Sequence, residues 1–340
     1  MTSFDLVTGG AGFIGAHVTA HLRKGGRQVV VLDDLSGGFA ENLPSDVPFV
    51  KGSITDVELL ERLFQDYKIE HVYHLAAYAA EGLSHFIRRF NYENNVLGSI
   101  NLINCAIKHK VKCFVFTSSI AVYGNGQCPL LETAQPQPED PYGIAKYAVE
   151  LDLRAAHEMF GMDYVIFRPH NVYGEFQNLG DRYRNVIGIF MNQLMQGSPL
   201  SVFGDGSQTR AFSYVGDVAP YIADCVRVPQ ALNQVFNIGA DQHYSVKELA
   251  ETVSRVMGMP GTLQFLPARN EVLHAYSDHA KAKRVFNISE ADFVGLENGL
   301  TRMAAWAKQA GIRVGQPFAN IEIYENLPPS WLALSQTAAH

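Results

Sequence analysis

The chain has 340 residues, 47% of them hydrophobic, which is long enough for one large and one small lobe around a shared cleft. Its net charge of −7, with Lys and Arg dispersed, excludes the cationic footprint of a nucleic-acid binder and points to small-molecule chemistry. No apolar run approaches the roughly twenty residues that span a bilayer, and no basic segment followed by an apolar stretch opens the chain, so a cytoplasmic protein with no membrane partner is expected.

Phe4 to Thr8 reads as a β-strand and Phe13 to Leu22 as a helix. Between them lies the turn Gly9-Gly10-Ala11-Gly12-Phe13-Ile14-Gly15. Its glycines at 9, 12 and 15 let backbone amides approach a pyrophosphate, which then rests on the positive end of the following helix. A second β-rich run, 28–32, ends in Asp33, an acid that accepts hydrogen bonds from a ribose diol and repels a 2′-phosphate. No Arg or Lys follows within 34–38, so NAD is expected rather than NADP.

Further strand-like runs at 47–51, 70–75, 112–117 and 163–168 alternate with helical periods, the pattern of an α/β, Rossmann-type doubly wound parallel sheet. Apolar runs such as Phe114-Val115-Phe116 suit a sheet covered on both faces. Beyond about residue 170 the pattern loosens into a smaller mixed α/β lobe, and Val235 to Ile238 reads as a last strand returning to the main sheet. The expected organisation is a cofactor-binding domain over 1–170 with 211–240 returning to it, a substrate domain over 171–210 and 241–328, and a loosely held tail over 329–340. Cys105, Cys113, Cys128 and Cys225 lack metal-site spacing and read as reduced bystanders, so no metal is expected.

Tyr142-Gly143-Ile144-Ala145-Lys146 falls in a long helical segment running to about Phe160, which puts the phenol and the ammonium on one face. A phenol is a poor base at neutral pH. Bringing it near 7 takes roughly 4 kcal/mol of preferential phenolate stabilisation, expected from Lys146 together with an oxidised nicotinamide. Thr117-Ser118-Ser119 ends a strand at the edge that faces the ligand crevice, so Ser119 is expected to bond the substrate oxygen that Tyr142 deprotonates. Asp217 reads as the N-cap of a helix starting at Val218.

These residues, with His74-Leu75-Ala76-Ala77, Asn94-Asn95-Val96, Ser118 to Gly124 and Arg168-Pro169-His170-Asn171-Val172-Tyr173-Gly174, resemble the extended short-chain dehydrogenase/reductase (NAD-dependent epimerase/dehydratase) family over nearly the whole chain. Within it the likeness is to the UDP-glucose 4-epimerase branch. The resemblance implies catalysis by Ser119, Tyr142 and Lys146. It implies NAD held by the turn residues Gly9, Gly12, Phe13, Ile14 and Gly15, by Asp33, Asp34, Ser53 and Ile54 on the adenosine side, and by Leu75, Ala76 and Ala77. Asn94, Thr117, Tyr142, Lys146 and Pro169 complete that set. A UDP-sugar would be held by Ser119, Asn171, Arg184, Asn185, Ser201, Phe203, Arg210 and Arg269, the arginines matching phosphate oxygens two at a time.

Dehydratases of the family carry an Asp-Glu pair just after the catalytic serine, and related decarboxylases a Glu. Here Ile120 and Ala121 stand there, which favours a 4-epimerase. The implied reaction has Tyr142 take the proton of the sugar 4-hydroxyl while C4 gives a hydride to NAD. The 4-keto sugar then swings over and receives the hydride on its other face.

Several positions keep other readings open. Arg184, with Arg182, lies where uronate-handling relatives bind a carboxylate, so UDP-glucuronate is an alternative, although Glu81 would repel it. The small residue in Ala275-Tyr276-Ser277 keeps UDP-N-acetylglucosamine open. A nucleotide-sugar dehydratase or dehydrogenase and a non-catalytic NAD-binding protein are the remaining readings. Ser53-Ile54 replaces an acid at the adenine edge, Ala79 replaces a lysine near the phosphates, and His170 reads as a packed ring or a sugar contact. Helices at about 93–109 and 142–160 match those that family members pair across a two-fold axis, so a homodimer is expected.

Overall fold

A computed structural model describes residues 2–181, 183–268, 272–315, 318–329 and 331–332. In chain order the strands are β1 (Phe4–Thr8), β2 (Val29–Asp33), β3 (Phe49–Lys51), β4 (Ile69–His74), β5 (Cys113–Thr117), β6 (Asp163–Pro169) and β7 (Val172–Tyr173). They continue with β8 (Leu200–Phe203), β9 (Thr209–Ala211), β10 (Ser213–Tyr214), β11 (Gln234–Ile238), β12 (His243–Ser245), β13 (Leu263–Leu266) and β14 (His274–Ala275). Seven of them form one parallel sheet in the order β11-β6-β5-β4-β1-β2-β3. The chain winds outward from β1 to β3, then crosses back to β4 and winds the other way. A crevice therefore opens between β1 and β4 at the carboxyl ends of the strands.

The helices are α1 (Phe13–Lys24), α2 (Val57–Asp66), α3 (Glu81–Ser84), α4 (Arg88–Tyr92), α5 (Gly98–Lys108), α6 (Pro141–Phe160) and α7 (Val186–Met195). After them come α8 (Ala219–Asp224), α9 (Val246–Met257), α10 (Ala280–Phe286) and α11 (Leu296–Ala310). Strand side chains alternate between two cores. Val7, Val31, Val115 and Phe167 face Val18 and Leu22 of α1 and Ile222 of α8. Leu6, Val30, Phe114 and Ile166 face Leu60 of α2, Leu102 of α5 and Val149 of α6. The doubly wound parallel sheet expected from the alternating runs is thus present, and β11 joins it beside β6. The remaining strands make three small sheets, β10-β7, β12-β9-β14 and β13-β8.

Four local expectations change. β3 starts at Phe49 rather than 47, because Pro48 has no amide to give and only its carbonyl serves, accepting the Val31 amide at 2.9 Å. Asp217 caps no helix: α8 follows Val218, and Pro220 in its first turn removes an amide that a cap would bond. Its carboxylate instead accepts the Val294 amide at 2.8 Å, and burial pushes it up to about 6. In the tail, Trp331 is only 6% exposed and packs edge-on to Tyr183 and Phe86. Most of the residues beyond it lie outside those described. No helix among the described residues is long and apolar enough to cross a membrane.

The helix expected over about 93–109 begins earlier, at Arg88, and passes through a π-helical turn, Glu93–Leu97. The wider turn points Asn95 inward, where it bonds the amide and carbonyl of Tyr78 at 2.9 and 3.1 Å. α6 is set by its first residues: Asp140 accepts the Gly143 amide at 2.9 Å, and Pro141 opens the helix.

Candidate active site

The carboxyl ends of β1, β4, β5 and β6 open into one cavity of about 1730 Å³. That exceeds the roughly 300–1,000 Å³ of pockets for one small ligand, so it suits two ligands side by side. Every described residue expected to bind cofactor or substrate lines it. Arg182 and Arg269 lie outside the described residues.

At one end the glycine turn fits a dinucleotide. Gly9 has φ +68°, and a Cβ on it would sit 2.6 Å from the Ala76 amide nitrogen, so the turn lies flat against the end of β4. The first amides of α1, from Phe13 to Gly15, have no acceptor within their own helix and face the cavity. Asp33 accepts the amides of Ala11 at 3.0 Å and Leu35 at 2.8 Å. It braces the turn and keeps lone pairs for a ribose diol. Burial pushes its carboxyl up, and those amides pull it back. Asp34, Ser53 and Ile54 complete this end, and Leu75, Ala76, Ala77 and Asn94 lie beside the turn.

β5 and α6 bring the reactive groups together. Ser119 accepts the Ala121 amide at 3.1 Å, and its hydroxyl lies close enough to the Tyr142 phenol to pull that group's pKa down. Lys146 Nζ donates to the Thr117 carbonyl at 2.8 Å and lies 5.8 Å from the centre of the Tyr142 ring. Burial pulls the ammonium down to about 7, against a pull upward from Glu150. Tyr142 is pushed up from its ordinary value, first by burial and then by the charge of Glu81, with the Ser119 hydroxyl and Arg184 pulling it back.

Glu150 escaped the sequence reading. It accepts from Ser118 at 2.6 Å and from Arg168 at 2.9 and 2.5 Å, all buried, and so ties α6 to β5 and β6. Its spacing of four from Lys146 on the same helix was the available signal.

On the other side, Arg184 pairs with Asp181, its Nε donating at 2.6 Å, and lies 4.8 Å from the Tyr78 ring centre. Asn171 donates to the Ala211 carbonyl at 3.1 Å, and Asn185 stands in a left-handed conformation just before α7, its side chain making no bond to that helix's first amides. Ser201 is held by Gln193 through bonds of 2.9 and 3.2 Å, near Phe203. The Arg210 fork reaches the carbonyls of Thr209, Leu273 and Val272, its exposed edge on the cavity.

His170, next to Pro169, is buried on the cavity wall and stacks on His279. Its Nδ1 donates to the Ala211 carbonyl at 3.1 Å, while His279 Nδ1 donates to Asp241 at 2.6 Å. The two Nε2 atoms lie 3.0 Å apart, and the Ser277 hydroxyl lies 3.1 Å from His279 Nε2.

Burial pulls His170 and His74 down to about 3, His74 while bonded to Thr8 and Ser99. Their ordinary value is 6.5, so the unfolded chain binds more protons in the window between. Their contribution to stability is complete above about pH 6.5 and falls with acidification, by about 1.4 kcal/mol per pH unit for each ring. Urea midpoints at pH 7.5 and 5.5 should show this loss, and His74→Gln should flatten it; an equal slope in that variant would remove His74 from the account.

The model of the NAD dependent epimerase/dehydratase family matches residues 6–239. The UDP-glucose 4-epimerase of Halalkalibacterium halodurans is 36% identical over 280 residues, covering 78% of this chain and 84% of that one. The crystal structure of a Thermotoga maritima UDP-glucose 4-epimerase with UDP-glucose superposes with a TM-score of 0.84 at 35% identity, over 90% of this chain and 99% of that one. A Bacillus cereus UDP-glucuronic acid 4-epimerase, in complex with UDP-glucuronic acid and NAD, gives 0.82 at 29%, over 90% and 99%.

Proposed function

Because the chain belongs to the NAD-dependent epimerase/dehydratase family, we propose that it is an NAD-dependent UDP-sugar 4-epimerase of the UDP-glucose type. The observation that carries this reading is the Ser119–Tyr142 pair beside Lys146, followed in sequence by Ile120 and Ala121 where other branches place acids. Bound NAD supplies a hydride acceptor and donor at C4, and its positive ring favours the phenolate that burial otherwise opposes.

The chain's residues do the rest. Tyr142 removes the proton from the sugar O4 and returns it, and Ser119 steadies that oxygen. Lys146, fixed by the Thr117 carbonyl, holds the cofactor's ribose. The glycine turn and Asp33 hold the dinucleotide, while Asn171, Asn185, Ser201, Phe203 and Arg210 grip the nucleotide of the sugar. In this reading the seven-stranded unit carries the cofactor and the smaller sheets carry the nucleotide sugar.

The charge pattern favours a neutral hexose. Arg184 is already paired with Asp181, and Glu81 on the same wall repels a carboxylate. Ala275, small and on the wall, makes UDP-N-acetylglucosamine the second substrate to try. Leu97, Ile144 and Leu151 expose apolar side chains on the π-helical turn and α6, which supports a homodimer through these helices.

The test is to incubate the purified protein with UDP-glucose, without added cofactor, and follow the sugar by proton NMR. The galacto epimer should appear, and UDP-glucuronate should turn over at least tenfold more slowly. Faster turnover of the uronate would overturn the neutral-sugar reading, and no epimer of any of the three sugars with NAD supplied would overturn the epimerase.

A further inference from the structure

Residues 318–329 and 331–332 lie beyond residue 239, where the family model ends, and run as a strap across α3 and α4. The attachments are specific. The Glu322 carboxylate accepts the amides of Arg89 at 2.8 Å and Phe90 at 2.9 Å, at the start of α4. The amides of Glu322 and Ile323 donate to the Phe86 carbonyl at 2.8 and 3.2 Å, and that of Phe318 donates to the Tyr183 hydroxyl at 3.1 Å. Phe318 packs against Tyr78 and Phe90, with ring centres 5.2 and 5.0 Å apart. Trp331 seats so near Gly82 that a Cβ there would come within 3.3 Å of its ring.

The strap's inner side is cavity wall: Ile323, Leu327, Pro328 and Trp331 line the cavity that holds Tyr142, with Glu325 and Asn326 among them. The strap also grips the two segments that flank the phenol. Gly82 follows Glu81, and Tyr183 precedes Arg184; both charged neighbours bear on Tyr142. Ser84, at the end of α3, accepts the Tyr142 amide at 3.2 Å. The wall is therefore anchored on the two segments, α3 and residues 183–184, that bear on Tyr142.

We propose that this strap is the specificity wall of the sugar subsite, confining a neutral hexose and its 4-keto form beside Tyr142 while the nucleotide stays anchored elsewhere. The proposal rests on the 4-epimerase reading above, and it answers a demand of that chemistry. Once the C4–H and O4–H bonds are broken, two electrons and the hydride's proton sit on the nicotinamide, and the hydroxyl proton sits on Tyr142. A keto sugar that leaves at that moment strands both on the protein. The apolar side chains of the wall, Ile323, Leu327, Pro328 and Trp331, hold the sugar by packing that favours neither of its faces, so the ring can turn over inside.

The experiment uses the full chain with its cofactor and the variants Trp331→Ala, Glu322→Ala and Trp331→Phe. Calorimetric titration with UDP-glucose should show affinity reduced about tenfold in the two alanine variants, with binding of UDP alone unchanged. During turnover, fluorescence of reduced nicotinamide should accumulate at least tenfold faster than in the parent, and Trp331→Phe should restore most of both properties. Parental affinity and parental accumulation in both alanine variants would overturn the proposal, as would an equal loss for UDP and UDP-glucose. The titration needs no turnover, so a parent that binds UDP-glucose but epimerises nothing would sink the functional reading while the strap is still judged by the difference between the two ligands.

Discussion

Tyr142→Phe is expected to lower kcat for UDP-glucose on the order of 10³-fold, about 4 kcal/mol in the barrier, while NAD stays bound. The phenol is buried near Lys146 and beside Ser119, and its neighbours hold it in the neutral form: burial first, the Glu81 carboxylate second. Phenylalanine keeps the ring and its packing but removes the oxygen that carries the proton. Losing one buried hydroxyl costs about 1 kcal/mol of stability. Bound cofactor read by absorbance should match the parent, and single-turnover NMR should show the slow step in chemistry. Turnover above a tenth of the parental rate would move proton transfer to another group, with Glu81 the first to examine.

The parts of this site that were legible in the sequence have local determinants. β1, the glycine turn, α1 and Asp33 fall within about thirty residues, and strand alternation, glycine spacing and the acid that ends β2 need no distant partner. Tyr142 and Lys146 were legible as a pair because helical spacing alone puts them on one face. Their charge environment was not. Glu81 reaches Tyr142 from a short helix sixty residues earlier in the chain, and Glu150 looks like any helix-surface acid until Arg168 folds onto it. His170 was noticed without its partner, because His279 lies 109 residues away. Trp331 stands in a tail with no periodic pattern. Its burial depends on Phe86 and Tyr183, which only the folded chain brings near it.

Gly15→Ala is expected to yield a protein that purifies without NAD and melts well below the parent. Helix propensity alone would favour alanine in α1 by about 1 kcal/mol. The packing reverses that sign. A Cβ at Gly15 would lie 2.0 Å from the Gly9 carbonyl oxygen and 2.8 Å from the Gly10 Cα, contacts with backbone and not with a side chain that could swing aside. Gly9 cannot retreat, since its amide donates to the Leu32 carbonyl at 2.8 Å, its carbonyl accepts the Gly12 amide at 3.1 Å, and β4 lies directly behind it. The turn must open, at a cost of about 1–3 kcal/mol in the fold. Opening it misaligns the amides that face the pyrophosphate, and losing the cofactor removes its stabilisation as well. Gly25→Ala is the control: it stands at the far end of α1, where a Cβ would meet nothing closer than 3.4 Å, and it should keep both NAD and Tm. The absorbance ratio at 260 and 280 nm, read beside the melting curve, separates the two variants. Full NAD occupancy in Gly15→Ala would mean that the turn accommodates a side chain and that the close approach of its backbone is not what holds the cofactor.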